Sequence, residues 1–277
     1  MTAPSLAEPL DIVGTISVVS HGHGPILTDL LNDLDQLPGI EHWRIIVTLN
    51  LPTDKLDREA FPRLHILQIH NVVSQGFGRN HNAAFEKCVG RWFVVVNPDI
   101  RIVDPKTLSR IASPGNGDEA AIRAPIVRNR RGELEDSVRR NLTPVDLWRR
   151  RHDRSSIGLT AANAGTFFWV AGMFMIFNKI AFNALGGFDE RYFLYCEDYD
   201  ICARAALAGF SVRLMEDLTV VHDAQRDSHK SRKYLRWHVE SLMKVWTSSV
   251  FWRLVLFPVR FLPPSAFSDS TDILSKY

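Results

Sequence analysis

Apolar positions in the first half of the chain fall in short runs whose spacing alternates between strand-like and helix-like. Ile16–Val19 is a compact apolar run. Ile26–Leu37 follows, with leucines three and four residues apart, the spacing of one helix face. The alternation continues through Arg44–Leu49, Leu64–Ile69 and then Arg79–Cys88, Trp92–Val96 and then Pro105–Ile111, and Ala121–Val127. Strands alternating with helix-length segments predict an α/β fold, a mostly parallel sheet with helices on its faces.

The second half is less regular. Gly115-Asn116-Gly117 reads as a turn, Arg128–Asp136 as a polar hairpin, and Thr143–Asp153 as a basic helix with Pro144 at its first position. Phe167–Phe177 reads as a buried strand interrupted by Gly172, and Glu197–Ala208 as a helix stopped by Gly209. Ser211–Leu214 and Leu218–Val221 read as two short strands ending at His222, followed by an amphipathic helix over Ser231–Trp246. This organisation predicts one domain over residues 1–247 and an amphipathic, helical extension over 248–277. The apolar stretch Val250–Leu262 is broken by Arg253, Pro258 and Arg260, so it falls short of the roughly 18 residues of a membrane span. Its aromatic and basic content suits peripheral contact with a membrane surface as well as packing on the core.

Composition narrows the class. With 277 residues, 45% hydrophobic and 23% charged, the chain can bury a sizeable core. A net charge of +2 gives no reason to expect a nucleic-acid partner. Cys88, Cys196 and Cys202 are odd in number and lack metal-ligand spacing, which fits a reducing compartment. Residues 1–10 have neither the basic nor the apolar part of a secretory signal, so a cytoplasmic location is expected.

In a parallel sheet, ligands bind beyond the carboxyl ends of the strands. Those tips carry Ser20-His21-Gly22-His23-Gly24 and Asn97-Pro98-Asp99. Asp99, just past a buried strand, is placed to hold a metal-diphosphate. Farther on, Gly186-Gly187-Phe188-Asp189-Glu190 leads to the adjacent carboxylates Glu197 and Asp198 at a helix start, where the helix dipole favours the anionic form. One carboxylate for a metal and another for a proton point to group transfer from a nucleotide-activated donor.

Four motifs in order make the chain resemble the inverting family-2 glycosyltransferases of the GT-A fold, nearest their rhamnosyltransferase-like bacterial branch. They are Asn97-Pro98-Asp99, the strand around Trp169-Val170-Ala171-Gly172-Met173, the Gly186–Asp198 segment and Val221-His222-Asp223. The resemblance spans about Thr15 to Trp246. It implies a Rossmann-like GT-A domain that moves a sugar, L-rhamnose in that branch, from a dTDP- or UDP-linked donor to a glycan or lipid-linked acceptor. Asp198 becomes the base, with Glu197 organising the site. Asp99 and His222 become ligands to Mg²⁺ or Mn²⁺. Ser20, His21, Asn50, Gly78, Arg79, Asn97, Gly172, Arg226 and His229 become donor-binding residues, and the product belongs to the cell envelope. Two positions depart from the pattern: Leu49 stands where the family carries a base-reading Asp, and Asn97 replaces the first Asp of Asp-x-Asp.

Other readings fare worse. A dinucleotide fold needs Gly-x-Gly-x-x-Gly, whereas Gly22-His23-Gly24 runs into Pro25. The remaining alternative is a non-catalytic, glycosyltransferase-like module that binds a glycan.

Overall fold

The computed structural model describes residues 11–113, 120–152, 166–223 and 232–259. Its strands are β1 (Gly14–Ser20), β2 (Trp43–Leu49), β3 (His65–His70), β4 (Trp92–Val96), β5 (Ile100–Arg101), β6 (Ala120–Asn129), β7 (Val138–Arg139), β8 (Trp169–Val170), β9 (Phe174–Asn178) and β10 (Ser211–His222). Its helices are α1 (Gly24–Asp35), α2 (Phe77–Phe85), α3 (Thr107–Ala112), α4 (Pro144–His152), α5 (Lys179–Ala184), α6 (Glu197–Leu207), α7 (Arg232–Thr247) and α8 (Ser249–Leu256).

Eight strands form one sheet in the order β3-β2-β1-β4-β9-β6-β10-β5. β3, β2, β1 and β4 run parallel. β9 is antiparallel to both β4 and β6, and β10 returns parallel to β6. β4 shows why the sheet is buried on both faces. Val94 and Val96 pack into a core with Leu27, Leu30, Leu31 and Leu34 of α1 and Ile111 of α3. Phe93 and Val95 point the other way, into a core with Phe182 of α5, Ile201 of α6 and Phe251 of α8. That is the two-residue period of a strand, with apolar residues at every position because both faces are covered.

Phe188 joins this second core. Its ring centroid lies 5.5 Å from that of Phe182 and 5.7 Å from that of Phe177. A buried Phe stabilises by roughly 1.5–3 kcal/mol, so the segment leading to Glu197 is anchored at its middle.

The structure redraws two expected elements. Phe167–Phe177 is not one interrupted strand: β8 pairs with β7 in a separate two-stranded sheet, and β9 joins the main sheet. The chain turns at Gly172-Met173 between them. Ser211–Leu214 and Leu218–Val221 are one strand, β10, whose pairing with β6 shifts register between Met215 and Thr219. The bulge hides the continuity because it breaks the alternation that marks a strand. The boundary expected at 247/248 falls where the Ser248 hydroxyl caps α8, accepting from the Phe251 N–H at 3.1 Å.

Candidate active site

Asp99 leaves β4 and is held against β10, because β5 pairs antiparallel with that strand and sets His222 opposite Ile100. The Asp223 N–H donates to the Asp99 carbonyl at 2.8 Å. His222 Nε2 then lies 3.1 Å from Asp99 Oδ2, and its Nδ1 lies 3.9 Å from Glu135 Oε1. Burial disfavours a charged imidazole here, but the hydrogen bond to Asp99 and the charges of Asp99, Glu135 and Asp223 outweigh it. The His222 pKa is raised as a result. A cavity of about 180 Å³, lined in part by Asn129, Arg130, Glu135, His222 and Asp223, opens beside this corner.

Asp99 Oδ1 and His222 Nδ1 are buried with no hydrogen-bond partner. Each such atom costs about 1–3 kcal/mol unless something satisfies it. Asp99 with its open oxygen and the imidazole beside it are the donor types a divalent cation takes; His222 would meet it through Nε2 in place of the bond to Asp99, because Nδ1 faces Glu135 on the far side of the ring. Among the described residues no group of three or more His, Cys, Asp or Glu is arranged to hold a metal alone. The donor set therefore fits Mg²⁺ or Mn²⁺ that completes its shell with phosphate oxygens and water.

The second corner is built by strain. Tyr195 and Cys196 are both left-handed, with φ of 74° and 68°. For non-glycine residues this conformation costs about 1–2 kcal/mol each. The two residues turn the chain sharply into α6, whose first residues are Glu197 and Asp198. The Tyr199 N–H donates to Asp198 Oδ1 at 2.8 Å and the Gly172 N–H to Asp198 Oδ2 at 3.0 Å. A Cβ on Gly172 would press on Phe77 Cζ at 3.2 Å and meet Asp198 Cβ at an ordinary 3.7 Å, so it is the Phe77 ring that the bare backbone accommodates.

The next residue closes the path between the corners: the Asn97 N–H donates to the Met173 carbonyl at 2.9 Å. Direct bonds and adjacent residues thus connect Asp198, Gly172-Met173, Asn97-Pro98-Asp99 and His222 across the carboxyl edge of the sheet. Glu197 differs from its neighbour. It is 4% exposed, its Oε2 has no hydrogen-bond partner, and burial together with the charge of Asp198 pushes its pKa well above the ordinary carboxylate range.

A third corner lies at the ends of β1 and β2. Ser20 Oγ accepts from the His23 N–H at 3.3 Å, and His21 Nδ1 lies 3.2 Å from Asn50 Nδ2. Asn50 is buried and donates to the Gln75 carbonyl at 3.0 Å. Its Oδ1 accepts from the Gln75 N–H and from Asn71 Nδ2, both at 2.8 Å. Asn71 also donates to Asn80 Oδ1 at 2.7 Å. Asn50 therefore shapes the loop ahead of α2 from behind, with its amide engaged by the protein itself. Leu49, at the position of the missing Asp, is core.

The other predicted residues divide. Gly78 is buried in the first turn of α2 against Phe188. Arg79 is largely exposed, 3.7 Å from Glu190. On β7, Arg139 donates to the Asp136 carbonyl at 2.9 Å and stacks over Trp169. Arg226 and His229 lie outside the described residues.

Sequence reasoning missed four contributors. Glu135 reaches His222 only through the hairpin after β6. Asn71 and Gln75 carry no motif signal. Asn82 holds the Gly186–Glu190 segment: its Oδ1 accepts from the Phe188 N–H at 2.9 Å, and its Nδ2 donates to the Phe188 carbonyl at 2.9 Å and to Glu190 Oε1 at 3.1 Å.

The sequence profile described as "Glycosyltransferase like family 2" matches residues 56–239. The chain is 28% identical over 242 residues to the rhamnosyltransferase WbbL of Escherichia coli strain K12, covering 83% of this chain and 90% of that protein. It is 24% identical over 168 residues to the N-acetylglucosaminyl-diphospho-decaprenol L-rhamnosyltransferase of Mycobacterium tuberculosis, covering 56% of this chain and 53% of that one. Among solved structures, a mannosyltransferase from Pyrobaculum calidifontis, in complex with GDP-Man and Mn²⁺, superposes with a TM-score of 0.59. It shares 15% identity, and the match covers 83% of this chain and 62% of the other. At that identity the likeness speaks for the fold.

Proposed function

The chain belongs to the glycosyltransferase-like family 2 and is a glycosyltransferase, and from that premise we propose that it transfers L-rhamnose, with inversion, from a dTDP- or UDP-linked donor to a hydroxyl of a glycan or lipid-linked acceptor. The observation that carries this reading is the bonded path from Asp198 to Asp99. It ties the two carboxylates to one edge of the sheet, which supports reading one as proton acceptor and the other as the diphosphate-side ligand.

In this reading Asp198 receives the acceptor hydroxyl's proton as that oxygen attacks the anomeric carbon. The bond from that carbon to the diphosphate oxygen breaks on the opposite face. The two backbone N–H groups on Asp198 hold its carboxylate in one orientation, so little reorganisation accompanies the proton transfer. Asp99 and His222 are the residues that would hold Mg²⁺ or Mn²⁺, and a bound cation would neutralise charge on the departing diphosphate. Ser20, His21 and the loop braced by Asn50 bound the nucleotide side, and Asn97 and Gly172 the sugar. Gly78, Arg79, Arg226 and His229 remain candidates for the diphosphate. The catalytic unit spans 1–247, with 248–277 as its extension, and works beside the cytoplasmic face of the membrane to build cell-envelope polysaccharide.

The test is a thermal-shift panel of dTDP-, UDP- and GDP-sugars with and without Mn²⁺, followed by transfer assays with the donor so identified. Metal-dependent stabilisation by one nucleotide sugar, and transfer lost in Asp198→Asn, is the expected result. Near-normal turnover by Asp198→Asn would overturn the assignment of the base.

A further inference from the structure

The helix that walls the base corner has two working faces. On its inner face, Trp237 stacks on Phe193 with ring centroids 4.7 Å apart, and His238 meets Tyr195 at 5.1 Å. Ser241 Oγ donates to the Leu194 carbonyl at 2.9 Å and Lys244 Nζ to the Arg191 carbonyl at 2.5 Å. α7 therefore grips residues 191–195, the segment that feeds the strained turn into Glu197 and Asp198.

Elsewhere on its circumference α7 presents Leu235, Val239 and Met243, each more than half exposed. At four-residue spacing these three fall within an arc of about 80°, a continuous apolar stripe rather than scattered residues. α8 adds Trp252 and Leu256, followed by Phe257, all more than half exposed, while its Phe251 and Leu254 are buried in the core. Within residues 233–259, with Lys244 turned to the inner face, Lys233, Arg236 and Arg253 stand against the single carboxylate Glu240, which pairs with Arg236 at 2.6 Å, and three cations less one carboxylate leave a net charge of +2. No helix among the described residues is long and apolar enough to cross a membrane. An apolar stripe with aromatic residues and net positive charge suits the interface of an anionic bilayer in chemistry and in sign.

We propose that α7 and α8 dock on an anionic lipid bilayer through Leu235, Val239, Met243, Trp252, Leu256 and Phe257, and that α7 thereby sets the acceptor side of the base corner against the membrane. The inference rests on the transferase reading for its consequence: a lipid-linked acceptor reaches Asp198 along the bilayer surface, through the segment α7 grips. The docking itself does not depend on the donor or on turnover.

The experiment is flotation of the full-length chain with phosphatidylglycerol/phosphatidylcholine vesicles and with phosphatidylcholine vesicles alone. The chain should float with the anionic vesicles, and raising the salt should weaken binding by screening the cations. The triple variant Leu235→Ser/Val239→Ser/Met243→Ser should bind about tenfold more weakly or worse, with its melting temperature nearly unchanged because the side chains are exposed. Lys233→Glu/Arg236→Glu gives an independent variant, which should lose preference for the anionic vesicles. Absence of flotation, or unchanged flotation of both variants, overturns the proposal. So does a second copy of the chain seated on this face, seen as a dimer in light scattering that the triple variant dissociates. Flotation does not read sugar transfer, so failure here leaves the transferase assignment standing, and failure of the Asp198→Asn test leaves the docking result standing.

Discussion

The two carboxylate corners of the site are built on opposite principles. Around Asp99 the structure leaves groups open: Asp99 Oδ1 and His222 Nδ1 are buried without hydrogen-bond partners. Around Asp198 both carboxylate oxygens already accept backbone N–H groups, and two consecutive left-handed residues fix the entry to the helix. In the proposed reading a metal-diphosphate completes the first corner. The second is finished beforehand, with its strain offset by the burial of Phe188 and by the grip of α7 on residues 191–195. A carboxylate that does not have to move takes a proton with little reorganisation.

The sharpest way to break this contrast is Asp198→Asn. The amide keeps the size but cannot take the proton, and its Nδ2 cannot accept from the Gly172 or Tyr199 N–H, so transfer should fall by about a thousandfold, within the usual range for a lost general base. Nucleotide affinity measured by calorimetry should stay within about twofold if the corners are separate in role. A comparable loss of nucleotide binding would show that the base corner also holds the donor.

Asp99→Ala attacks the open corner. Metal-dependent donor affinity should fall by about 10- to 100-fold, the range that even an outer-shell partner of a metal costs. Affinity measured without metal should change little.

Gly187→Ala tests how firmly the finished corner is anchored. Gly187 has a φ of 70°, and a Cβ there would come 2.5 Å from Asn82 Oδ1, the atom that accepts from the Phe188 N–H. Stability should drop by about 1–3 kcal/mol in denaturant unfolding. Turnover should fall with it if the Phe188 anchor positions Asp198.

Glu197→Gln sharpens the comparison from inside the finished corner. The folded chain keeps the Glu197 proton to a higher pH than the unfolded chain does. Its contribution to stability is therefore present at acid pH and is lost as pH rises toward the folded value. The neutral Gln escapes that loss, so the variant's melting temperature should gain on wild type by about a few degrees between about pH 5 and pH 8. An advantage that stayed constant with pH would mean that the folded chain does not hold the Glu197 proton above the unfolded value.

The open corner has a pH dependence of its own. His222 binds a proton more readily than free imidazole because of Asp99, Glu135 and Asp223, and a protonated imidazole cannot ligate a metal. The melting-temperature shift produced by Mn²⁺ should shrink on going from about pH 8 to about pH 6. An unchanged shift would remove His222 from the ligand set.

Much of this was legible in the chain itself. The alternating apolar runs specify strands and helices because a sheet covered on both faces needs continuous apolar strands such as Trp92–Val96, and α1 needs leucines along one face. Asp99, Glu197, Asp198 and His222 stand in motifs whose order is visible without a structure. Local pattern could not show that Phe167–Phe177 splits between two sheets, or that β10 runs on through its bulge, because strand partners lie far away in sequence and pairing decides the boundary. Only the tertiary structure brings Glu135 to His222, engages the Asn50 amide with Gln75 and Asn71, and passes Gly172 between Phe77 and Asp198. Hydrophobic period and turn chemistry are properties of neighbours along the chain and are written there. Which buried polar group finds a partner, and which is left open for a ligand, depends on contacts between segments up to 123 residues apart, as for Asp99 and His222, and packing alone decides them.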